Sequence, residues 1–381
     1  MNKLKVLELF AGIGACSKAL EKLGIEHEIV DAVEIDKYAV KSFNAIHNTN
    51  FEPQDITQWD KDIQVDLVMH GSPCQDFSLA GLQAGGDEGS GTRSSLMYET
   101  IRIVEKLKPK YVIWENVKNL LSKKHRHNFD AYLETMEKLG YANYYQVLNA
   151  KDYGIPQNRE RVFTVSILGN ENYKFPPKQE LKLKLKDMLE DEVDEKYYLS
   201  EKMMNYVLDN NETQKGTKWE GRADNDTLNS NIAHTISVRG AGGSQRAGVS
   251  NFIVDDYDEE IKVKDIKLKI KNATKKGYSE AHDGDSVNLS YPNSKTRRGR
   301  VGEQVSQTLQ CNDSMGVVNN DLRIRKLTSK ECWRLMGFDD EDFEKAAQVN
   351  SNAQLYKQAG NSIVVNVLMA IFNELLKKEG E

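Results

Sequence analysis

Val6-Leu7-Glu8-Leu9-Phe10-Ala11-Gly12-Ile13-Gly14 is the stretch that decides the fold. Its first four residues form a short, mostly apolar run suited to a buried parallel strand. The glycines that follow let the backbone turn tightly and approach a ligand at the strand's carboxyl end. Similar runs recur at residues 29–33, 65–69 and 111–114. Between them Ile101, Val104 and Leu107, and then Phe129, Tyr132, Leu133, Met136 and Leu139, keep helical spacing. This alternation predicts an α/β fold with a doubly wound, Rossmann-like sheet. Two β-rich runs, 144–150 and 162–168, flank Gly154-Ile155-Pro156 and are expected to close the sheet with a hairpin.

A chain of 381 residues with 39% hydrophobic content can build two or three domains. Charged residues make up 29%, mean hydropathy is -0.63, and no apolar run is long enough for a bilayer, so no membrane role is expected. No export signal is visible, and a cytoplasmic location is expected. Cys16, Cys74, Cys311 and Cys332 lie far apart without a C-x-x-C pair, which suggests neither a disulfide framework nor a metal site. The formal net charge of -6 offers no global attraction to nucleic acid, so any such contact must be local. Residues 262–276 (KVKDIKLKIKNATKK), and 295–300 with 323–326, could supply it, or could simply be solvated faces.

From about 170 to 322 the chain turns Lys- and Asn-rich, with glycine clusters such as 240–243 and no sustained helical period. A smaller, irregular β-rich domain is expected there. The expected division is 1–168, 169–322 and 323–381, the last segment folding back onto the first. Thr328-Ser329-Lys330-Glu331 has the form of a capping box, opening a helix that ends at Gly337. Asn361-Ser362 should open a last helix with Val364, Val367, Leu368, Ile371 and Leu375 on its apolar face.

Several residues in this frame suit chemistry. A dinucleotide fingerprint would place a third glycine where Ser17 stands, which argues against a nicotinamide enzyme. Glu34, at the end of the second strand, can accept hydrogen bonds from both hydroxyls of a ribose, and Asp55 is placed to meet an adenine. Either acid taken alone reads as readily as a solvated carboxylate. Cys74 follows the third strand in Gly71-Ser72-Pro73-Cys74-Gln75, where open α/β sheets bind ligands and where a following helix would favour the thiolate. An isolated cysteine is more often a small buried hydrophobe. Glu115 ends the next strand, and burial there would suit it to donate a proton. Arg159 and Arg161, two residues apart on a strand, would share a face and could bind a phosphate or a base carbonyl.

Phe10-Ala11-Gly12-Ile13-Gly14, Gly71-Ser72-Pro73-Cys74-Gln75, Glu115-Asn116-Val117, Gln157-Asn158-Arg159-Glu160-Arg161, residues 325–338 and Gln358-Ala359-Gly360-Asn361-Ser362 resemble, in order, the motifs of the DNA cytosine-5 methyltransferase family, prokaryotic and phage type. Only about 170–322 is unmatched, where that family keeps its variable target-recognition domain. The resemblance implies S-adenosylmethionine as methyl donor, double-stranded DNA as partner, and a target cytosine flipped out of the duplex. It implies that Cys74 adds to C6, that Glu115 contacts N3 and the exocyclic amine, and that Arg161 with Arg159 holds the base oxygen or a phosphate. Phe10, Gly12, Gly14, Glu34, Ile35, Asp55, Ile56, Pro73, Leu96, Asn361 and Ser362 would line the cofactor pocket. Gln75, Ser78 and Thr308 would meet DNA. Residues 81–91 (GLQAGGDEGSG) resemble a loop that closes over the flipped base, and Thr308-Leu309 or Thr235-Ile236 resembles the pair that positions it. A monomer suffices, and a cognate restriction endonuclease is a candidate partner. The rival readings are a transfer RNA cytosine-5 methyltransferase, against which stands the absence of a Cys-Phe-Thr motif, and an inactive regulatory homologue, against which stands the presence of Cys74, Glu115 and both arginines.

Overall fold

The computed structural model describes residues 3–73, 96–200, 203–204, 267–319 and 323–377. Strands β1 (Leu4–Leu9), β2 (His27–Val33), β3 (Leu67–His70), β4 (Tyr111–Val117), β5 (Tyr141–Asn149) and β7 (Glu160–Leu168) form one sheet; β6 (Gln157–Asn158) lies outside it. The order is β2-β1-β3-β4-β7-β5. The first four strands are parallel, while β7 runs antiparallel to both β4 and β5, so the expected hairpin closes the edge. Ladder pairing of β3 starts at Leu67, later than the apolar run suggests. Asp66 is used otherwise: its carboxylate accepts from Lys5 N and its carbonyl from Tyr111 N.

Side chains alternate across this sheet and bury two cores. Leu7, Leu9, Val68, Val112 and Trp114 face helices α3 (Met97–Leu107) and α4 (Arg126–Lys138). Val6, Leu67, Met69, Ile113, Phe163 and Val165 share the other core with α1 (Ala15–Lys22) and the C-terminal residues. Helix α2 (Lys37–His47) follows β2, with the Asp36 carboxylate accepting from Tyr38 N as its N-cap.

The capping box forms as expected: Thr328 Oγ1 accepts from Glu331 N, and the Glu331 carboxylate accepts from Thr328 N, opening α5 (Ser329–Arg334). Two further helices, α6 (Asp340–Ala347) and α7 (Asn352–Asn361), precede α8 (Val365–Leu375), which packs on α1. Asn361-Ser362 therefore ends one helix rather than opening the last. Ser362 takes an extended conformation, and α8 begins three residues later.

The smaller β-rich part has its own core of Ile270, Ala281, Val287, Leu289, Val318 and Ile324. Its strands are β8 (Leu268–Lys271) paired with β9 (Tyr278–Ala281), and a sheet ordered β11 (Val301–Gly302), β10 (Ser286–Asn288), β13 (Met315–Val318), β14 (Ile324–Lys326). The sheet runs past residue 322, because β14 pairs with β13. Strand β12 (Ser306–Gln307) instead pairs in parallel with β6, stitching this part to the main body. No described helix is long and apolar enough to cross a membrane.

Candidate active site

The turn after β1 is held by backbone conformations that side chains resist. Phe10 (φ 53°), Gly12 (φ 56°) and Gly14 (φ 81°) all lie in the left-handed region. At Gly14 space forbids a side chain as well, since a Cβ there would sit 2.1 Å from His47 Nε2. That ring is half-buried and neutral, its pKa pushed down to about 4 by desolvation. The Glu34 carboxylate clasps the turn, accepting from Gly12 N at 3.0 Å and Asp36 N at 2.8 Å. Burial raises the Glu34 pKa against the opposing pull of those backbone donors. Beside it Ile35 is 69% exposed, an apolar side chain left facing out.

The next loop is pinned from beneath by Asp31, which accepts from Gln54 Nε2, Trp59 Nε1 and Lys61 Nζ. Burial alone would lift Asp31; these donors outweigh it and hold its carboxyl below the usual range. Gln54 N also donates to Glu34 O, so Asp55 sits next to Glu34. The Asp55 carboxylate caps a short turn through Thr57 N and Thr57 Oγ1. The Ile56 side chain is 5% exposed and belongs to the core, which leaves its backbone as the part able to meet a ligand. Leu96 packs partly buried against the same core, at the start of α3.

Helix α7 forms the opposite wall. Lys357 Nζ lies 2.7 Å from the Asp36 carboxylate, and Gln358 bonds to Ser42 Oγ and Tyr38 O, fixing α7 to the β2–α2 corner. Asn361, at its end, accepts from Cys311 Sγ through Oδ1 at 2.9 Å. Gly360 packs so closely on residues 310–311 that a Cβ would lie 2.5 Å from Gln310 O.

At the centre, β3 runs into His70-Gly71-Ser72-Pro73. Ser72 is gripped by β4: Trp114 Nε1 donates to its hydroxyl at 3.0 Å and Asn116 Nδ2 to its carbonyl at 3.3 Å. His70 stacks on Trp114 with 5.6 Å between ring centres, and burial pushes its pKa down to about 3. Cys74, Gln75, Ser78, residues 81–91 and Thr235 lie outside the described residues. Glu115, between the two residues that hold Ser72, pairs with Arg161 Nε at 3.0 Å, a partner that burial alone did not anticipate. A Cβ on Gly71 would lie 3.8 Å from Glu115 Oε2 and 3.6 Å from Ile363 Cδ1, so the end of β3, Glu115 and the start of α8 converge.

The two arginines do not share a face. Projection to one side at i and i+2 requires a continuous strand, and Arg159 occupies the break between β6 and β7. It is 4% exposed and donates to Gly360 O at 3.1 Å and Ser362 O at 2.7 Å, bracing the α7–α8 junction. Only Arg161 meets Glu115. Thr308 Oγ1 donates to Asn158 O at 2.9 Å, which sets the Thr308-Leu309 pair on the segment that carries Arg161. Gln157 joins three motifs: Oε1 accepts from Leu309 N and Nε2 donates to Leu335 O. Ser72, Trp114, Asn116, Gln157 and Lys357 are positioning residues that sequence reading passed over. Ser72, Asn116 and Gln157 stood inside quoted motifs and were the ones open to discovery.

The sequence profile of the C-5 cytosine-specific DNA methylase family matches residues 4–377. The chain belongs to this family. It is thus a DNA cytosine-5 methyltransferase. The orphan methyltransferase M.Rho11sI of Bacillus phage rho11s is 31% identical, over 99% of this chain and 98% of the relative. The type II methyltransferase M2.ScrFI of Lactococcus lactis subsp. cremoris is 33% identical, over 99% of this chain and 100% of the relative. Among solved structures, the Entamoeba histolytica methyltransferase EhMeth matches with a TM-score of 0.61 at 15% identity, covering 99% of this chain and 100% of that one. Dnmt2 of S. pombe matches with a TM-score of 0.56 at 18% identity, covering 98% of each. At these identities the two structures establish the fold.

Proposed function

We propose that this methyltransferase modifies carbon 5 of cytosine within a short duplex DNA sequence, with Cys74 as a covalent nucleophile and S-adenosylmethionine as methyl donor. The observation that carries the reading is the Glu115–Arg161 pair beside Ser72-Pro73, the residues that precede Cys74 in the sequence. The residues present fit the donor. A glycine turn that a Cβ would fill, the ribose-compatible Glu34, the exposed Ile35 and the Asp55 corner face α7 with Asn361 and Ser362. Phe10, Gly12, Gly14, Pro73, Leu96 and the Ile56 backbone complete that wall. When bound, S-adenosylmethionine supplies an electrophilic methyl group.

The ring of cytosine is not nucleophilic at C5 by itself. The Cys74 thiolate forms a bond to C6, which leaves electron density at C5 for attack on the methyl, the remainder of the donor departing as S-adenosylhomocysteine; loss of the C5 proton to a base then restores the C5–C6 double bond and expels the Cys74 thiolate. Glu115 is positioned to bind N3 and the exocyclic amine, and Arg161, held on the same carboxylate, to bind the base oxygen. Arg159 acts through the Ser362 turn. Gln75, Ser78 and Thr308 contact the DNA, and Thr308 rather than Thr235 is favoured by its seat on Asn158. Residues 1–168 with 323–381 form the catalytic unit and 169–322 the recognition unit, whose sheet is completed by β14 from the C-terminal segment, acting as a cytoplasmic monomer. The names type II and orphan among its relatives support a restriction–modification or a solitary, phage-type setting, the former with a cognate endonuclease.

Transfer of labelled methyl to duplex DNA and transfer RNA, followed by bisulfite sequencing, tests the reading. Methylcytosine at one recurring motif is expected, and label in RNA alone would overturn it. Cys74→Ala should abolish transfer yet still bind S-adenosylmethionine; retained turnover would remove the nucleophile.

A further inference from the structure

The connection between β10 and β11, residues 289–300, is braced far more heavily than a solvent loop requires. Ser294 N donates to Tyr291 O, and Ser294 Oγ accepts from Thr296 N and Arg297 N, closing a tight turn. Beneath it Arg300, 1% exposed, donates to Tyr291 O at 3.0 Å and to Asn288 O at 2.6 Å. Arg297 reaches Asn288 Oδ1 and Ser290 Oγ, and its guanidinium lies 5.1 Å from the centre of the Tyr291 ring. Ala273 N, from the β8–β9 turn, donates to Arg297 O at 2.7 Å, so two hairpin tips are joined.

This scaffold presents three groups outward. Tyr291 is 71% exposed, and Lys295 and Arg298 are exposed beside it with no carboxylate partner among the described residues. Tyr291 also has φ 49°, a conformation that penalises a bulky residue and not glycine. The strained backbone holds the aromatic ring largely in water, against the Arg297 guanidinium rather than in a core, and such strain clusters at functional sites. The cations stand out against a chain whose net charge is -6. Strand β11 leads within a few residues to β12 and Thr308, against the segment that carries Arg161.

Resting on the duplex-DNA reading above, we propose that residues 291–298 are a preformed DNA-contacting element: Lys295 and Arg298 take backbone phosphates while the Tyr291 ring packs into the adjacent groove. Two phosphate contacts contribute about 0.9 each to the slope of log affinity against log salt. In the full-length enzyme, the double variant Lys295→Gln/Arg298→Gln should therefore lower that slope by about 1.8 on the duplex that the wild type methylates. Tyr291→Gly relieves the strained φ, so a merely structural role predicts equal or higher thermal stability and unchanged DNA binding. A contact role predicts that the same stable variant binds the duplex on the order of tenfold more weakly. Unchanged slope and affinity in variants of an enzyme that still methylates duplex DNA would overturn the loop assignment alone. A wild type that methylates only RNA would overturn the DNA reading and this inference with it.

Discussion

Glu8 should make this enzyme less stable as pH rises from about 4.5 toward neutrality. Its carboxyl lies near the carboxyl end of β1, 2% exposed, accepting from Ser17 N at 3.0 Å and from the Ser17 hydroxyl. Burial lifts its pKa from 4.5 to about 7, against the weaker opposing pull of the Ser17 donors. The folded state therefore holds the proton more tightly than the unfolded chain, so this group's contribution is fully present below pH 4.5 and is lost up to about pH 7. A shift of that size corresponds to about 3 kcal/mol in all, of which about 2.5 kcal/mol falls between about pH 5 and about pH 8. Glu8→Gln keeps an acceptor for Ser17 but cannot ionise. Urea denaturation of both proteins across that range should show the variant gaining on the wild type by about that amount as pH rises. A constant gap would mean that Glu8 titrates near its ordinary value. The effect reaches the site through Ser17, which lies in the first turn of α1 immediately after the Phe10–Gly14 bend, so cofactor affinity should follow the same pH profile.

Two substitutions test the walls of the proposed cofactor pocket. Gly14→Ala combines a left-handed φ, costing about 1–2 kcal/mol for an L side chain, with a clash on the His47 ring; calorimetry should show S-adenosylmethionine binding weakened at least on the order of tenfold, and unchanged affinity would detach the turn from the cofactor. Arg159→Lys cannot reproduce both bonds to Gly360 O and Ser362 O and should cost about 1–3 kcal/mol of stability while raising KM for the cofactor more than it lowers kcat. An Arg159→Lys enzyme whose stability matches the wild type but whose kcat collapses would instead return Arg159 to the chemistry.

The strands of the main sheet were legible because parallel strands buried on both faces leave short unbroken apolar runs, and the glycine turn because φ and space at Gly14 admit nothing else. Helix α7 was not, for a physical reason: the residues it buries include Gln358, Ala359 and Gly360, which carry no apolar period and are used for hydrogen bonds and close approach. The break between β6 and β7 was equally invisible, since it is made by pairing with β12 some 150 residues further on, and it turned two apparently equivalent arginines into different things. Within Gln157-Asn158-Arg159-Glu160-Arg161 the side chains of 157 and 159 are spent on Leu335, Leu309, Gly360 and Ser362, and only 161 faces Glu115. A polar motif here is a joint and a site at once. The joint clamps the C-terminal helices and the Thr308 segment onto the chain entering β7, and that clamp sets where the Arg161 guanidinium stands relative to the Glu115 carboxylate. Residue type and spacing announce that such a motif does something; which of its members does chemistry is decided by the long-range pairing that leaves one of them turned toward the sheet edge.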